Sequence, residues 1–231
     1  MKRFVIPIMG LLANSGCDDS NKESIEMHNK EEKYHHAGHH ANEHMNKTSF
    51  EDLVKRFESP ERDEWQKPQT VIKFLGDIKN KLVLDIGAGT GYFEFKISDT
   101  TVKLIATDVD QRFIDYLNDR KRRENKRNLE IRLAKYEEPA VQKGEADVIF
   151  TVDVYHHIEN RTDYFKKVKS GLKDGGSLVI VDFKKGELDV GPPDEIKIPI
   201  DEIISEVEAA GFRIAETDTS SLKYQFMLKF N

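Results

Sequence analysis

The segment LVLDIGAGTGYF, Leu82 to Phe93, limits what this chain can fold into more than any other stretch. An apolar run ends at Asp85, glycines follow at positions 87, 89 and 91, and helix-forming residues resume after them. Glycine admits left-handed backbone angles and lets a ligand approach the main chain. A loop of this kind that opens into a helix N-terminus presents free N–H groups and a favourable dipole to an anionic group. Downstream, strand and helix signals alternate. Strands are predicted at Lys103–Thr107, Leu129–Leu133, Ala146–Val152 and Ser177–Asp182, and helices from about Tyr92, at Gln111–Arg123 and at Thr162–Leu172. Asp201 is expected to cap a helix to Ala210 that Gly211 ends, before a terminal strand pair at Phe212–Glu216 and Tyr224–Phe230. Alternating apolar strands and helices imply an α/β fold, a doubly wound and mostly parallel sheet with an antiparallel C-terminal strand. Such sheets take ligands beyond the carboxyl ends of their strands, where the strand order reverses.

Upstream of the loop, Thr48 and Ser49 are placed to cap a helix to about Glu58, Ser59-Pro60 breaks it, and Pro68 opens another. The whole chain has 231 residues, which suits one domain and an appendage. A hydrophobic content of 38% excludes a polytopic membrane protein, and mixed charges between recurring apolar runs argue against a disordered chain. With 36 basic and 42 acidic residues the formal charge is −6, so no nucleic-acid partner is expected. The one basic concentration, Asp119 to Arg127, lacks interleaved aromatics and reads as a solvated face.

A single cysteine forms no internal disulfide, but its position carries information. Lys2 and Arg3 precede the apolar run Phe4–Ala13, followed by Asn14-Ser15-Gly16 and Cys17. The run is too short to span a bilayer and suits a signal-peptide core. The arrangement resembles a bacterial lipoprotein signal, in which the cysteine becomes the lipid-bearing first residue. The resemblance implies a signal peptide at 1–16, a lipid anchor at Cys17 and a location in the bacterial cell envelope; a cytoplasmic chain is the alternative if the signal is unused. Residues 17–47 read as a polar tether holding His28, His35, His36, His39, His40 and His44. His36, His40 and His44 would share a helical face and are weak candidates for a metal site. Gly38 weakens that helix, so solvated linker is the favoured reading.

Residues 48–231 remain as the folded domain. The glycine spacing is G-x-G-x-G with Tyr92 following, where a dinucleotide fingerprint would be G-x-G-x-x-G. With Asp85 before the first glycine, the loop resembles motif I of class I S-adenosyl-L-methionine (SAM) methyltransferases. Asp108 in IATDVD stands where that family carries a ribose-binding acid. ADVIFTVDVYHHI (146–158) and LKDGGSLVIVDF (172–183) are similar to its later segments, as is the terminal AAGF (209–212). The resemblance implies a Rossmann-like fold and SAM as cofactor, held by Asp85, Gly87, Gly89, Gly91 and Asp108, with Asp153 near the sulfonium or the substrate. Lys135 stands where the family often has an adenine-binding acid, and it cannot accept a hydrogen bond. Trp65, Gln66 and Lys67 lie where the family's N-terminal segment closes over SAM.

Methyl transfer requires alignment and exclusion of water, plus a base when the acceptor must lose a proton. His156 and His157, just past the fourth strand, are the candidate bases, with a slight preference for His156; Tyr155 is a candidate for the substrate wall. The expected reaction is methyl transfer to a small-molecule or envelope-associated acceptor. The alternatives are a non-catalytic SAM-binding protein and a His-rich metal-binding lipoprotein. An export signal beside a SAM fold also sets a conflict, since SAM is made in the cytoplasm.

Overall fold

The structure is a computed structural model, and it describes residues 41–231. Cys17, His28, His35, His36, His39 and His40 lie outside the described residues. Seven strands form one sheet in the order β3-β2-β1-β4-β5-β7-β6. They are β1 (Leu82–Ile86), β2 (Lys103–Asp108), β3 (Leu129–Leu133), β4 (Ala146–Val152), β5 (Leu172–Phe183), β6 (Ile214–Asp218) and β7 (Gln225–Phe230). β1 to β5 pair in parallel, while β7 is antiparallel to both β5 and β6. This is the Rossmann-like α/β arrangement expected from the sequence. The chain leaves β1 for β2 and β3 on one side and returns to β4 on the other, so the order reverses between β1 and β4.

Strand periodicity builds a core on each face. Leu84, Ile86, Ile149, Leu178 and Ile180 pack on one face with Tyr155, Phe165, Ile203 and Val207. Their neighbours Val83, Val148, Phe150, Val179 and Val181 pack on the other with Tyr92, Phe93, Ile97 and Leu117. Successive strand residues point to opposite faces, which is why these strands are apolar throughout. Flanking helices are α2 (Phe50–Phe57), α3 (Glu61–Gln66), α4 (Pro68–Leu75), α5 (Glu94–Ile97), α6 (Gln111–Arg123), α7 (Arg161–Gly171) and α8 (Ile200–Ala209), preceded by α1, described at residues 41–47.

Several boundaries differ from the sequence expectation. The helix after the glycine loop becomes regular at Glu94 rather than Tyr92, because Gly91 still has φ +85° and turns occupy the residues between. β5 starts at Leu172 instead of Ser177: Ala146 pairs with Leu172 and Val148 with Ser177, so 173–176 form an irregularity around left-handed Gly175. Asp201 is not the cap of α8. Pro199 holds that position without a side-chain bond, and Asp201 lies in the first turn. α3 was not expected between Pro60 and Pro68. Ser49 does cap α2, accepting from the Asp52 N–H at 3.2 Å. Residues 41–47, within the stretch read as tether, are helical and bring Ala41 to 3% exposure.

Candidate active site

The end of β1 is fixed from both sides. Thr107 Oγ1 donates to the Asp85 carbonyl at 2.9 Å, and Thr151 Oγ1 to the Ile86 carbonyl at 3.0 Å. The amides of Gly87 and Ala88 both donate to the Thr107 carbonyl. Gly87 has φ +80°, and a Cβ there would stand 2.4 Å from Val154, the loop residue after β4. Gly91 is equally confined: a Cβ would stand 2.7 Å from Phe95. Two of the three glycines are thus explained by protein neighbours. A Cβ on Gly89 would meet the Phe57 ring at an ordinary 3.4 Å, which puts α2 over the loop as a roof.

Asp108 ends β2 with 8% exposure. Its Oδ2 accepts from the Gly89 N–H and its Oδ1 from the Asp110 N–H, each at 2.9 Å. Burial raises its pKa to about 6, against the opposing effect of those backbone donors. Each oxygen keeps a second lone pair, which suits a ribose diol. Beside it, β2 and β3 pair Asp108 with Leu133. Val109, Leu133 and Tyr136 are large apolar side chains exposed by 38%, 54% and 48%. Sequence reading did not single out these residues, whose exposed apolar surface at the ends of β2 and β3 suits an adenine ring; their exposure is visible only in the structure. Lys135 is exposed and makes a backbone bridge with Glu138.

Under the glycine loop lie two acids with no donor. Asp85 is 3% exposed and Glu94 fully buried, and Asp85 Oδ1 and both Glu94 carboxylate oxygens have no hydrogen-bond partner. Burial, then the neighbouring Glu94, raises the Asp85 pKa well above the carboxylate range; burial also raises that of Glu94. Arg62 of α3 exerts a field on both acids and on Asp153. Its guanidinium lies 3.9 Å from the Tyr92 ring centroid and donates to the Phe57 carbonyl and the Gln66 side chain. Neither Arg62 nor Glu94 was singled out from sequence.

Across the switch point, Asp153 follows β4 with φ +62°, a conformation Asp tolerates better than most residues. Its Oδ1 accepts from Gln225 of β7, and Gln225 Oε1 accepts from buried Gln66 at 2.7 Å. Burial raises the Asp153 pKa to about 7. Trp65 packs on Phe183 with ring centroids 5.9 Å apart, and Lys67 donates to the Ser221 carbonyl. The N-terminal segment therefore docks against the C-terminal strands as well as over the loop.

The two histidines differ. His156 is 4% exposed, and its Nδ1 lies 3.0 Å from Asp182 Oδ1. Burial opposes its positive charge, but adjacent Asp182 outweighs burial and raises its pKa. His157 is held by Asn42 of α1. The Asn42 amide nitrogen donates to the His157 carbonyl at 3.0 Å, and Asn42 Oδ1 lies 3.0 Å from His157 Nδ1. A carbonyl only accepts, so the amide orientation is fixed, Nδ1 carries the proton, and Nε2 of the neutral ring keeps its lone pair. Burial, then the fields of His156, Arg56 and His44, pushes the His157 pKa well below the ordinary value. Tyr155 is not a substrate wall: it is fully buried, stacked on Phe165, with its hydroxyl donating to Glu206.

Residues 84–178 match the family described as "Methyltransferase domain". A SAM-dependent methyltransferase from Aquifex aeolicus shares 26% identity at a TM-score of 0.74, covering 80% of this chain and 98% of that one. The domain is similar to class I SAM-dependent methyltransferases. SAM is its cofactor, and the glycine cradle, the diol-ready Asp108 and the unpartnered Asp85 oxygen fit it. A putative methyltransferase from Haloferax volcanii, in complex with its Trm112 activator, has the same fold at 12% identity and a TM-score of 0.66, covering 78% of this chain and 94% of that one. Among curated proteins, the tRNA U34 carboxymethyltransferases of Pseudoalteromonas atlantica and Mannheimia succiniciproducens are 25% and 27% identical over about half of this chain. This chain spans only 36% and 38% of their lengths.

Proposed function

We propose that this chain transfers the methyl group of SAM to a small-molecule or envelope-associated acceptor bound beyond β4 and β5. The observation that carries the reading is the loop–acid closure, in which left-handed Gly89 donates directly to buried Asp108 beside the adenine wall. When bound, SAM supplies a methyl carbon already activated by positive sulfur. Asp108 would take the ribose hydroxyls, the glycine loop and Asp85 the methionyl end, and Val109, Leu133 and Tyr136 the base. α2 and α3 exclude water from above, and Asp153 faces the acceptor side. His157 would receive a proton at Nε2 from an acceptor that must lose one. His156, saturated by Asp182 at Nδ1, serves as its charged neighbour or as the base in its place; alanine at each position separates the two roles.

Calorimetry with SAM and S-adenosylhomocysteine tests the cofactor reading, with micromolar binding of both expected and no binding of either overturning it. Labelled-methyl transfer to envelope fractions and small-molecule pools then separates an enzyme from a non-catalytic SAM binder. The lipid anchor at Cys17 and the envelope location belong to the same proposal; metabolic labelling with a radiolabelled fatty acid, lost in Cys17→Ser, is their test. Zinc titration with and without residues 28–44 tests the histidine reading. The names of the tRNA-modifying relatives support a second acceptor class, RNA. Lys121, Arg123 and Arg127, near the end of α6, form its candidate contact, and salt-sensitive tRNA binding would favour it.

A further inference from the structure

Two wholly buried amides join the N-terminal segment to the acceptor side of the sheet, and nothing in the methyl-transfer reading uses them. Gln66, in α3, and Gln225, in β7, are 0% and 1% exposed. Arg62 Nε donates to Gln66 Oε1 at 3.2 Å, Gln66 Nε2 donates to Gln225 Oε1 at 2.7 Å, and Gln225 Nε2 donates to Asp153 Oδ1. A guanidinium only donates, so Arg62 fixes the orientation of Gln66, and Gln66 fixes that of Gln225. Flipping either amide would set N–H against N–H and oxygen against oxygen in the interior. The chain of bonds therefore closes in one direction, and Asp153 must accept at Oδ1. Its Oδ2 makes no hydrogen bond among the described residues, and the residue is only partly buried. The charged groups facing Asp153 are Arg62 from α3, Asp182 from β5 and His156 from the turn after β4. Asp182 and His156 pair with each other at 3.0 Å, whereas Arg62 has no acid of its own among the described residues.

A carboxyl group that must accept at Oδ1 carries a proton only at Oδ2. We propose that Arg62, Gln66 and Gln225 are positioning residues for Asp153: they hold Oδ1, leave Oδ2 to meet the methyl acceptor, and make docking of α3 and ionisation of Asp153 one event. This rests on the methyl-transfer reading, in which Asp153 faces the acceptor, and adds three residues from two distant segments to it. With α3 docked, Asp153 has an oriented donor at Oδ1 and an unpaired cation nearby, and both favour the carboxylate. With α3 away, Arg62 and Gln66 leave together, Gln225 is free to turn, and the acid takes up a proton from solvent at Oδ2. Closure returns that proton to solvent, so charge and protons balance. The Asp153 pKa of about 7 puts the exchange in the neutral range. An acceptor thus meets a charged oxygen only behind a docked α3, where water is excluded and its own donor is held in place.

The test is the titration of Asp153 in the full chain, followed by NMR of carboxyl-labelled aspartate and assigned by the signal missing from Asp153→Asn. The unsubstituted chain is expected to titrate there at about 7, and Gln66→Met, which removes the donor to Gln225, about one pH unit higher. Gln66 makes no contact with Asp153 itself, so a merely structural glutamine would cost stability and leave this midpoint where it was; that result overturns the proposal. Gln66→Glu is nearly isosteric and still accepts from Arg62, but it cannot donate. Gln225 then turns its amide round, and Asp153 is expected to stay protonated to higher pH than in Gln66→Met; a lower midpoint than in the unsubstituted chain overturns the proposal. If neither variant folds, the side-chain amide signals of Gln66 and Gln225 in the unsubstituted chain decide. Both are expected to shift with the Asp153 midpoint, and a Gln66 signal blind to it overturns the relay. None of these titrations needs a ligand. If S-adenosylhomocysteine does not bind, the cofactor reading falls although the midpoint moves; if the midpoint does not move, the relay falls although the ligand binds.

Discussion

Two buried polar clusters flank this sheet, and they are finished to different degrees. On the α7–α8 side, Arg161 is 5% exposed and donates to both oxygens of Glu206 at 2.6 and 2.7 Å, while the Tyr155 hydroxyl donates to the same carboxylate. Glu202 stands 3.6 Å from the guanidinium. Charge and hydrogen bonds close within the chain. Under the glycine loop, Asp85 and Glu94 are buried as deeply, yet Asp85 Oδ1 and both Glu94 oxygens have no hydrogen-bond partner. A chain that evidently can satisfy a buried carboxylate leaves this pair open. Burial without partners costs stability, and the group that relieves it must come from outside. The first cluster is therefore read as structural and the second as a place for a ligand.

The largest expected effect breaks the closed cluster. Glu206→Ala removes the two hydrogen bonds that the buried Arg161 guanidinium makes to that carboxylate, with Glu202 at 3.6 Å still beside it, and should cost about 3 kcal/mol of unfolding free energy in urea titrations, the low end for breaking a buried ion pair. Affinity for S-adenosylhomocysteine in the surviving folded fraction should not change; a parallel loss of both would erase the contrast between the clusters. Next comes Asp108→Asn, which keeps the shape but swaps one accepting oxygen for a donor. Ligand affinity should fall by about 1.5–3 kcal/mol, the range for hydrogen bonds to a charged group, while stability falls by only about 1 kcal/mol for the one backbone N–H that the new amide cannot accept from. A large fall in midpoint with intact affinity would move Asp108 into the structural class.

How far the sequence reached follows the same division. The strands were legible because Leu82–Ile86 and Ala146–Val152 are apolar on both faces, and the glycine loop because its backbone demands are written in residue type. Asp85 and Asp108 were found through the resemblance of their segments to a known family's motifs. Glu94 was not, because a glutamate in a first helical turn is ordinary on a surface and only burial makes it unusual. Arg62 and Asn42 lay in segments read as connection or tether. The contact of Asn42 with His157 spans 115 residues, and Arg62 acts on Asp85, Glu94 and Asp153 from a separate segment, relations that no local pattern encodes. The helix at 61–66 was obscured by its flanking prolines, one of which is its N-cap.

Asp153 sharpens the comparison through pH. Its folded pKa of about 7 lies above the ordinary value near 4, so between these values the folded state holds a proton that the unfolded state has lost. The resulting stabilisation is complete below pH 4 and is lost as pH rises through 7. Relative to Asp153→Asn, the unsubstituted chain should lose up to about 1.4 kcal/mol per pH unit across that window. A flat difference would mean that Asp153 is ionised in the fold, and an increase with pH would mean an undetected cation pairs with it.

The smallest effect concerns the histidines. His156 has a charged partner in Asp182, whereas His157 has only the amide of Asn42, so the two rings repeat the contrast between a closed pair and an open one. Asn42→Ala should cost about 1 kcal/mol, the worth of a neutral hydrogen bond. It should also release the His157 tautomer, so that the ring nitrogen signals of a selectively labelled chain shift from Nδ1–H towards Nε2–H. Asn42→Asp should keep the tautomer and raise the His157 pKa, since a carboxylate favours the charged ring. If both variants leave the ring signals where they were, Asn42 does not position His157. Nε2 would then have no fixed lone pair to offer, and the case for a base would pass to His156, whose Asp182 bond does not depend on α1.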